Sequence, residues 1–101
     1  VLHTSNGRQI EADILVWAAG VKAPTMLATL NLETNANNQV LVNQYLQTTS
    51  DERVFALGDC CSCAQPGSDR PVPPRAQAAH QMASTVYSNL LRTMQGQPLK
   101  A

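Results

Sequence analysis

Two short apolar runs, each ending at a glycine, constrain the fold of this chain more than any other feature. The first run, Asp13–Ala19, reads DILVWAA and ends at Gly20. The second, Val54–Leu57, reads VFAL and ends at Gly58-Asp59. Continuous apolar runs of this length are typical of strands buried on both faces, as in parallel sheets covered by helices. We therefore predict two buried strands and an α/β fold.

A long helix is predicted after the second run, from about Arg75 onward. Apolar residues recur there at spacings of three and four, which places them in one stripe along a helix. They are Ala79, Ala83, Val86, Leu90 and Met94. The prolines at 73 and 74 suit a helix start, and Gly96 and Pro98 mark its end. Strand, loop and long helix in this order are typical of one end of an α/β sheet.

The remaining segments predict shorter elements. Residues 1–4 and 9–12 form two short strands around Ser5-Asn6-Gly7, because Asn-Gly supplies the positive φ angles that a tight turn needs. The other predicted elements are a short helix over Pro24–Leu30, a loop over Asn31–Gln39, short strands at Val40–Val42 and Leu46–Thr48, and a Pro-rich loop over Cys60–Pro74.

Composition excludes several classes of protein. A length of 101 residues allows one domain at most. Net charge is zero and no basic block is present, so no nucleic-acid partner is expected. The apolar runs are far shorter than the roughly 20 residues that cross a bilayer. Because Val1 lies at the start of a predicted strand and no signal peptide is present, we expect an excised piece of a longer protein.

Gly58-Asp59 offers a carboxylate at the carboxyl end of a predicted strand, the edge where open α/β sheets bind ligands. Glycine lets a ligand approach the backbone closely, and a carboxylate accepts hydrogen bonds from the hydroxyl groups of a sugar or ribityl chain. An Asp after Gly also commonly caps a turn. The pair alone therefore leaves both interpretations open.

The residues around this pair resemble a known signature. Thr49–Asp59, TSDERVFALGD, is similar to the second FAD-binding signature of flavoproteins with two dinucleotide-binding domains. In those proteins the aspartate bonds the ribityl hydroxyls of FAD. The resemblance therefore assigns Asp59 to FAD, with Gly58 allowing the close approach.

The first apolar run resembles another signature of the same flavoproteins. Asp13–Gly20, DILVWAAG, is similar to the buried strand and small-residue turn at which the chain leaves the NAD(P)H domain. In the family this turn passes close to the bound dinucleotides. By that resemblance, Ala19 and Gly20 lie near a dinucleotide.

Residues 73–81, PPRAQAAHQ, form the third element. A helix N-terminus presents unpaired N–H groups and partial positive charge, which would favour a reduced flavin. The segment resembles the Ala-Gln-x-Ala-x-Gln motif of type II NADH:quinone oxidoreductases, in which the helix start contacts the flavin and two glutamines border the quinone pocket. The resemblance assigns Ala76 and Gln77 to FAD, and Gln77 and Gln81 to quinone. The alternative is a solvated helix face.

Together the three segments resemble a type II NADH dehydrogenase from Asp13 to about Met94. The implied fold is an incomplete fragment of a Rossmann-like FAD/NAD(P) flavoprotein with two dinucleotide-binding domains. Residues 1–20 would end the NADH-binding domain, residues 21–48 would lead back, and residues 49–101 would form the C-terminal part of the FAD-binding domain. No G-x-G-x-x-G is present, so both pyrophosphate sites are expected elsewhere in the full-length protein.

The resemblance also implies an activity. The full-length enzyme would pass a hydride from NADH to FAD and then electrons to a membrane quinone, without pumping protons. It would sit peripherally on the cytoplasmic face of the bacterial inner membrane, through a region expected after Ala101. We expect the 101 residues alone to be inactive and to bind FAD weakly. Because strands separated from their sheet leave unpaired edges, we also expect self-association.

The cysteines offer a different interpretation. Cys60 and Cys63 have C-x2-C spacing, which can hold zinc or form a redox disulfide. A closed zinc site needs four ligands; beyond Cys61, only His80 is a further candidate, and no second C-x2-C is present. Redox C-x2-C motifs normally open a helix, whereas this one opens a Pro-rich loop. We therefore predict no metal and interpret all three as packing thiols in a reducing, cytosolic compartment.

Three rival functions remain open. One is another FAD/NAD(P)-dependent reductase of the same fold, acting on ferredoxin or a disulfide, which the glutamine pair disfavours. A second is a small zinc or thiol-redox module built on Cys60, Cys61 and Cys63. A third is an interaction domain without enzymatic activity.

Overall fold

The computed structural model describes all 101 residues of the chain. Its first strands, β1 (Leu2–His3) and β2 (Gln9–Ile10), pair antiparallel with Leu2 opposite Ile10. Gly7 lies in the turn between them at φ +80°, a left-handed conformation that glycine adopts without steric cost. The predicted hairpin is therefore confirmed.

The strand predicted over Asp13–Ala19 is wrong. The segment has no strand pairing, and Ile14 and Trp17 are 82% and 78% exposed. A strand needs a neighbour for its backbone hydrogen bonds, and no other part of these 101 residues pairs with this segment. None of residues 1–22 is buried, and we refer to them as the arm.

Residues 23–42 lead from the arm into the sheet. Thr25–Thr29 form a 3-10 helix inside the predicted helical segment. A loop follows, as predicted, and then β3 (Val40–Val42), which confirms the predicted strand. The N–H of buried Ala23 donates to the carbonyl of Asn37 at 2.9 Å, so the chain becomes fixed where the arm ends.

β4 (Cys61–Cys63) lies parallel to β3, with Val40 opposite Cys61 and Val42 opposite Cys63. The loop predicted over Cys60–Pro74 is therefore wrong at its start. Alternation along β4 buries Cys61 and Cys63, with half-buried Ser62 between them. Thiols are small and apolar enough to occupy the buried face of a strand.

The strands predicted at Val54–Leu57 and Leu46–Thr48 are also wrong as regular strands. They meet at one antiparallel bridge, in which Gln47 lies opposite Phe55. Leu46 has a φ of +67°, which takes its backbone out of the extended region, so the pairing does not continue past it.

The predicted helix is confirmed as α1 (Ala76–Met94). No helix of the structure is both long and apolar enough to cross a membrane. The packed face of α1 differs from the predicted stripe, because a two-stranded sheet covers only part of the helix. Val86 and Asn89 are buried and Met82 is half-buried, while Ala83, Leu90 and Met94 are exposed.

The core is small and lies between the β3–β4 pair and α1. It consists of Val42, Leu46, Cys61, Cys63 and Val86. Only nine of the 101 residues are buried, and the chain measures 60 × 28 × 24 Å, so it is elongated rather than compact. We refer to residues 23–101 as the body. The predicted segments 21–48 and 49–101 each give one strand to its parallel pair, and their division between domains stays a prediction.

Candidate functional site

Gly58 is held directly against α1. It begins a 3-10 helix, Gly58–Cys60, and has a φ of +76°, which favours glycine. A Cβ on Gly58 would lie 3.7 Å from the Cβ of Ala79, and its N–H donates to Sδ of Met82 at 3.4 Å. The backbone after the second apolar run therefore meets the first turns of the helix.

Asp59 presents a carboxylate without a partner in the chain. The residue is exposed, and its carboxylate takes part in no hydrogen bond or ion pair of the structure. Its backbone carbonyl accepts a hydrogen bond from Nε2 of Gln39 at 3.1 Å, which ties the turn to the loop before β3. The carboxylate oxygens therefore remain available to a ligand.

The N-terminus of α1 is not capped by the chain. Arg75 precedes it in an extended conformation, no side chain caps the helix, and no acidic residue lies in its first turn. The first helical hydrogen bond runs from the N–H of Ala79 to the carbonyl of Arg75, at 3.0 Å. The N–H groups of Ala76, Gln77 and Ala78 therefore have no helical acceptor, and they carry the positive end of the helix dipole.

The Gly58-Asp59 pair and residues on either side of the helix start line one depression, which we call the notch, whereas Ala76 and Gln77 do not line it. Among the residues that line it are Gly58, Asp59, Val72, Arg75, Ala79 and Met82. The structure thus joins two segments that the sequence connected only by resemblance: the Gly-Asp pair and the start of the Ala-Gln helix.

A second, larger depression, which we call the cleft, lies beside the notch and has a volume of about 480 Å³. Its wall includes Val42, Leu46, Cys63, Gln81, Met82 and Ala101. Val72, Ala78 and Met82 line both depressions, so a wall of three apolar side chains separates them.

The remaining candidate residues are placed differently. Gln81 lines the cleft, whereas Gln77 is exposed and lines neither depression, although it stands one turn before Gln81 on α1. Ala19 and Gly20 lie in the exposed arm and line neither depression. The structure therefore brings together Gly58, Asp59, the helix start and Gln81, but not the turn at the end of the first apolar run.

Two of the three cysteines are packing residues in this structure, and Cys60 is half-buried outside the core. Cys61 and Cys63 belong to the core, and all three thiols are free. Burial raises the pKa of Cys61 from 9.0 to about 12, with the nearby Cys60, Cys63 and Asp59 adding to the effect, and burial also raises that of Cys63. Nucleophilic thiols need a lowered pKa. No group of three or more His, Cys, Asp or Glu side chains comes together as a metal site.

Sequence reasoning missed two residues that shape these depressions. Met82 accepts the Gly58 N–H and lines both the notch and the cleft, but its sequence position shows only a residue on an apolar helix. Asn89 is fully buried, although a polar residue near the end of a helix is usually solvated. A polar residue three positions after a core valine was the one available signal.

Comparison with known proteins identifies the family of the chain. Residues 1–83 match the family described as pyridine nucleotide-disulphide oxidoreductase. The chain is 46% identical over 101 residues to the type II NADH:quinone oxidoreductase of Haemophilus influenzae, an alignment that covers 99% of the chain and 22% of that protein.

Two more distant relatives bear the same name. The protein of Staphylococcus saprophyticus is 31% identical over 91 residues, and that of Staphylococcus aureus strain NCTC 8325 is 30% identical over 90 residues. These alignments cover 90% and 89% of the chain, and the chain spans 22% of the length of each relative. The resemblance to type II NADH:quinone oxidoreductases and the Rossmann-like α/β fold class are thereby confirmed. The chain belongs to the pyridine nucleotide-disulphide oxidoreductase family.

Proposed function

We propose that this chain is part of an enzyme that passes electrons from NADH through FAD to a membrane quinone. The observation that carries the proposal is the notch, in which Gly58-Asp59 and the uncapped start of α1 meet beside a cleft that contains Gln81. Three relatives named type II NADH:quinone oxidoreductase support the same activity.

The groups in and around the notch would contact a flavin that lies over the notch rather than inside it, because the notch has no space for a molecule even of the size of water. The Asp59 carboxylate, which has no partner in the chain, would accept hydrogen bonds from ribityl hydroxyls. Gly58 lacks a side chain that would keep a ligand from its backbone. The unpaired N–H groups of Ala76 and Gln77 would donate to the flavin ring. When bound, FAD supplies the carrier that takes two electrons from NADH and passes them on.

The helix start contributes an electrostatic effect of its own. No carboxylate in the first turn of α1 neutralises the partial positive charge at its N-terminus, and the cationic Arg75 precedes it. A helix N-terminus stabilises a nearby negative charge by about 0.3–1 kcal/mol at an exposed site, and by more where water is excluded. This chain would therefore favour a ligand state that places negative charge in the notch.

We propose the cleft as the quinone site. Its volume of about 480 Å³ falls in the range typical of small-molecule sites, roughly 300–1,000 Å³. Its wall is mostly apolar, as a quinone ring requires, and the Gln81 amide can donate a hydrogen bond to a quinone oxygen. Gln77 would border the quinone from one turn earlier. The thin wall of Val72, Ala78 and Met82 would keep quinone close to the flavin.

The location of the whole enzyme is part of the proposal. It would be attached peripherally to the cytoplasmic face of the bacterial inner membrane through residues outside this chain, and it would not pump protons. The 101 residues alone would be inactive, would bind FAD weakly, and would self-associate through the exposed arm. The apolar segment Ile14–Trp17, without a partner in the chain, supports the self-association.

The flavin assignment is tested in the full-length enzyme by comparing Asp59→Asn with Asp69→Asn. Both residues are exposed aspartates of the body, but only Asp59 lines the notch. We expect Asp59→Asn to weaken FAD binding by about tenfold, because hydrogen bonds to a charged group contribute about 1.5–3 kcal/mol. FAD content, measured from the visible absorption bands of the purified protein, should stay normal in Asp69→Asn. Equal FAD content in both variants would contradict the assignment.

The quinone assignment is tested by Gln81→Leu, with Gln95→Leu as a control near the other end of α1. Loss of the amide at Gln81 should raise KM for a short-chain quinone and leave the rate of flavin reduction by NADH unchanged. Gln95 is exposed and does not line the cleft, so its substitution should change neither. A wild-type enzyme that reduces disulfides or ferredoxin, but no quinone, would replace this proposal with the rival reductase.

A further inference from the structure

Asn89 is a fully buried amide that the proposed chemistry does not use. Its Nδ2 donates to the backbone carbonyl of Tyr45 at 3.2 Å and to that of Lys100 at 2.8 Å. Its Oδ1 accepts a hydrogen bond from the N–H of Lys100 at 2.9 Å. Both amide protons are thus bonded, and the backbone of Lys100 is held on both its donor and its acceptor.

These partners are next in sequence to residues that line two walls of the cleft. Tyr45 lies between Gln44 and Leu46, both of which line the cleft, and Lys100 precedes Ala101, which lines it from another side. A third wall is α1 itself, through residues such as Gln81. One amide on the helix therefore joins a loop 44 residues before it and a tail segment 11 residues after it.

Residues 97–101, which we call the tail, make few other hydrogen bonds. Its beginning is held by the N–H of Gln97, which donates to the carbonyl of Arg92 at 2.8 Å, and by Nη1 of Arg92, which donates to the carbonyl of Pro98 at 2.9 Å. Beyond Pro98, every hydrogen bond of the tail is made with Asn89. The hydrogen bonds of Asn89 therefore hold Ala101 at the cleft, together with the packing of half-buried Leu99 beside Phe55 and Leu90.

We infer that Asn89 is a positioning residue for the cleft: by fixing the Tyr45 loop and the Lys100 segment against α1, it sets the width of the site. The inference rests on the proposed function, in which this cleft receives the quinone. Asn89 does not line the cleft and so does not touch the substrate. It acts through the two backbone segments that it bonds.

The hydrogen bonds explain why the effect should be local. Removing one partner of a buried hydrogen bond leaves the other unpaired at a cost, which favours movement of the freed segment toward water. The Lys100 segment is exposed on its outer side and can move without unfolding α1. A looser segment would widen the cleft and weaken quinone binding, while the notch on the other side of Val72 and Met82 would be unaffected.

The sharpest test uses Lys100→Pro and Lys100→Ala in the full-length enzyme, with a water-soluble short-chain quinone as the probe. Lys100→Pro removes the N–H that Asn89 binds, whereas Lys100→Ala keeps that N–H and removes only an exposed side chain. We expect KM for quinone to be at least about threefold higher in Lys100→Pro than in Lys100→Ala. The rate of flavin reduction by NADH should be equal in the two.

Asn89→Leu provides a second variant, because it removes all three hydrogen bonds of the amide with a side chain of similar volume and adds no charge. We expect it to raise KM for quinone by about tenfold. If this variant does not fold, the comparison at Lys100 decides alone, since it leaves α1 unaltered. Equal KM values in Lys100→Pro and Lys100→Ala would overturn the inference and leave the proposed function intact. A wild-type enzyme that reduces no quinone would overturn both.

Discussion

The arm and the body are similarly rich in apolar residues, yet they differ almost completely in burial. Val16 in the arm is 81% exposed, and Val42 in the body is 7% exposed. Both valines belong to segments that the sequence predicts as strands. The difference lies in the neighbours: β3 has β4 beside it and α1 over the pair, whereas Asp13–Ala19 has no strand beside it and no helix over it. An apolar sequence is therefore compatible with a strand, but the strand forms only where a neighbouring strand pairs with its backbone.

The largest difference in stability between the body and the arm should appear when an aspartate replaces a valine in each of them. Val86→Asp puts a carboxylate at a position that is 7% exposed, next to core residues that offer no cation. An uncompensated buried charge costs about 3–5 kcal/mol, a large part of the stability of a small domain, so we expect the body to unfold. Circular dichroism measures this unfolding as the loss of the helical signal of α1.

Val16→Asp is the matched substitution in the arm. Because Val16 is already in solvent, its variant should keep the helical signal and the urea midpoint of the wild type. A Val16→Asp protein that unfolds would mean that the arm is packed in solution, and the contrast between arm and body would be lost.

The next largest effect concerns self-association through the exposed apolar side chains of the arm. We expect the 101-residue chain to self-associate through Ile14–Trp17, since an unpaired apolar edge invites strand addition. Burying one large apolar side chain contributes about 1.5–3 kcal/mol, so Trp17→Lys should raise the dissociation constant by about tenfold or more. Sedimentation equilibrium measures this constant.

Tyr87→Lys is the control for that experiment. Tyr87 is an aromatic residue of similar exposure, 67% against 78% for Trp17, but it lies on α1 in the body. If both substitutions weaken association equally, the contact surface includes the helix and is not the arm alone. A wild-type chain that stays monomeric at high concentration would contradict self-association through either surface.

Local signals explain which parts of the fold could be predicted. Asn6-Gly7 determines its own turn, and the three- and four-residue spacing after Arg75 determines a helix, because each depends on residues close in sequence. The meeting of Gly58-Asp59 with the helix start was accessible through the resemblance. β4 was not predicted, because Cys-Ser-Cys has no strong strand propensity and pairs with β3 about 20 residues earlier.

Other features depend on contacts between distant residues. The packed face of α1 is decided by the two-stranded sheet, so the exposed positions of Ala83, Leu90 and Met94 could not be read from helix periodicity. Asn89 is buried only because Tyr45 and Lys100 come to it from distant parts of the chain. The cleft is therefore a tertiary feature, whereas the notch consists of two local motifs that meet.

A smaller effect on the free energy of unfolding is expected when alanine replaces a glycine of positive φ in each region. Gly58 in the body and Gly20 in the arm both have positive φ, at +76° and +105°, and neither has an atom that would clash with a Cβ. Gly58→Ala should lower the free energy of unfolding by about 1–2 kcal/mol, because the contacts with Ala79 and Met82 hold the strained conformation. Urea unfolding measures the loss.

In the arm, the backbone at the substituted position should relax. Gly20 makes no hydrogen bond to the body, so an alanine there can adopt negative φ without breaking packed contacts. We expect Gly20→Ala to leave the urea midpoint unchanged. An equal loss in both variants would show that the arm is held as firmly as the body.

The smallest effect on the free energy of unfolding comes from the ionisation of a core thiol. It is absent at neutral pH, and it distinguishes the body from the arm only at alkaline pH. Burial raises the pKa of Cys61 from 9.0 to about 12, so above pH 9 the unfolded chain loses a proton that the folded chain keeps. The free energy of unfolding should therefore fall as pH rises from 9 toward 12 and show no contribution from Cys61 below pH 8. Cys61→Ala should reduce this slope, although the raised pKa of Cys63 will keep part of it. Urea midpoints measured across this pH range for Cys61→Ala and for the wild type give the two slopes, and identical slopes would mean that Cys61 is not shielded from water in the core.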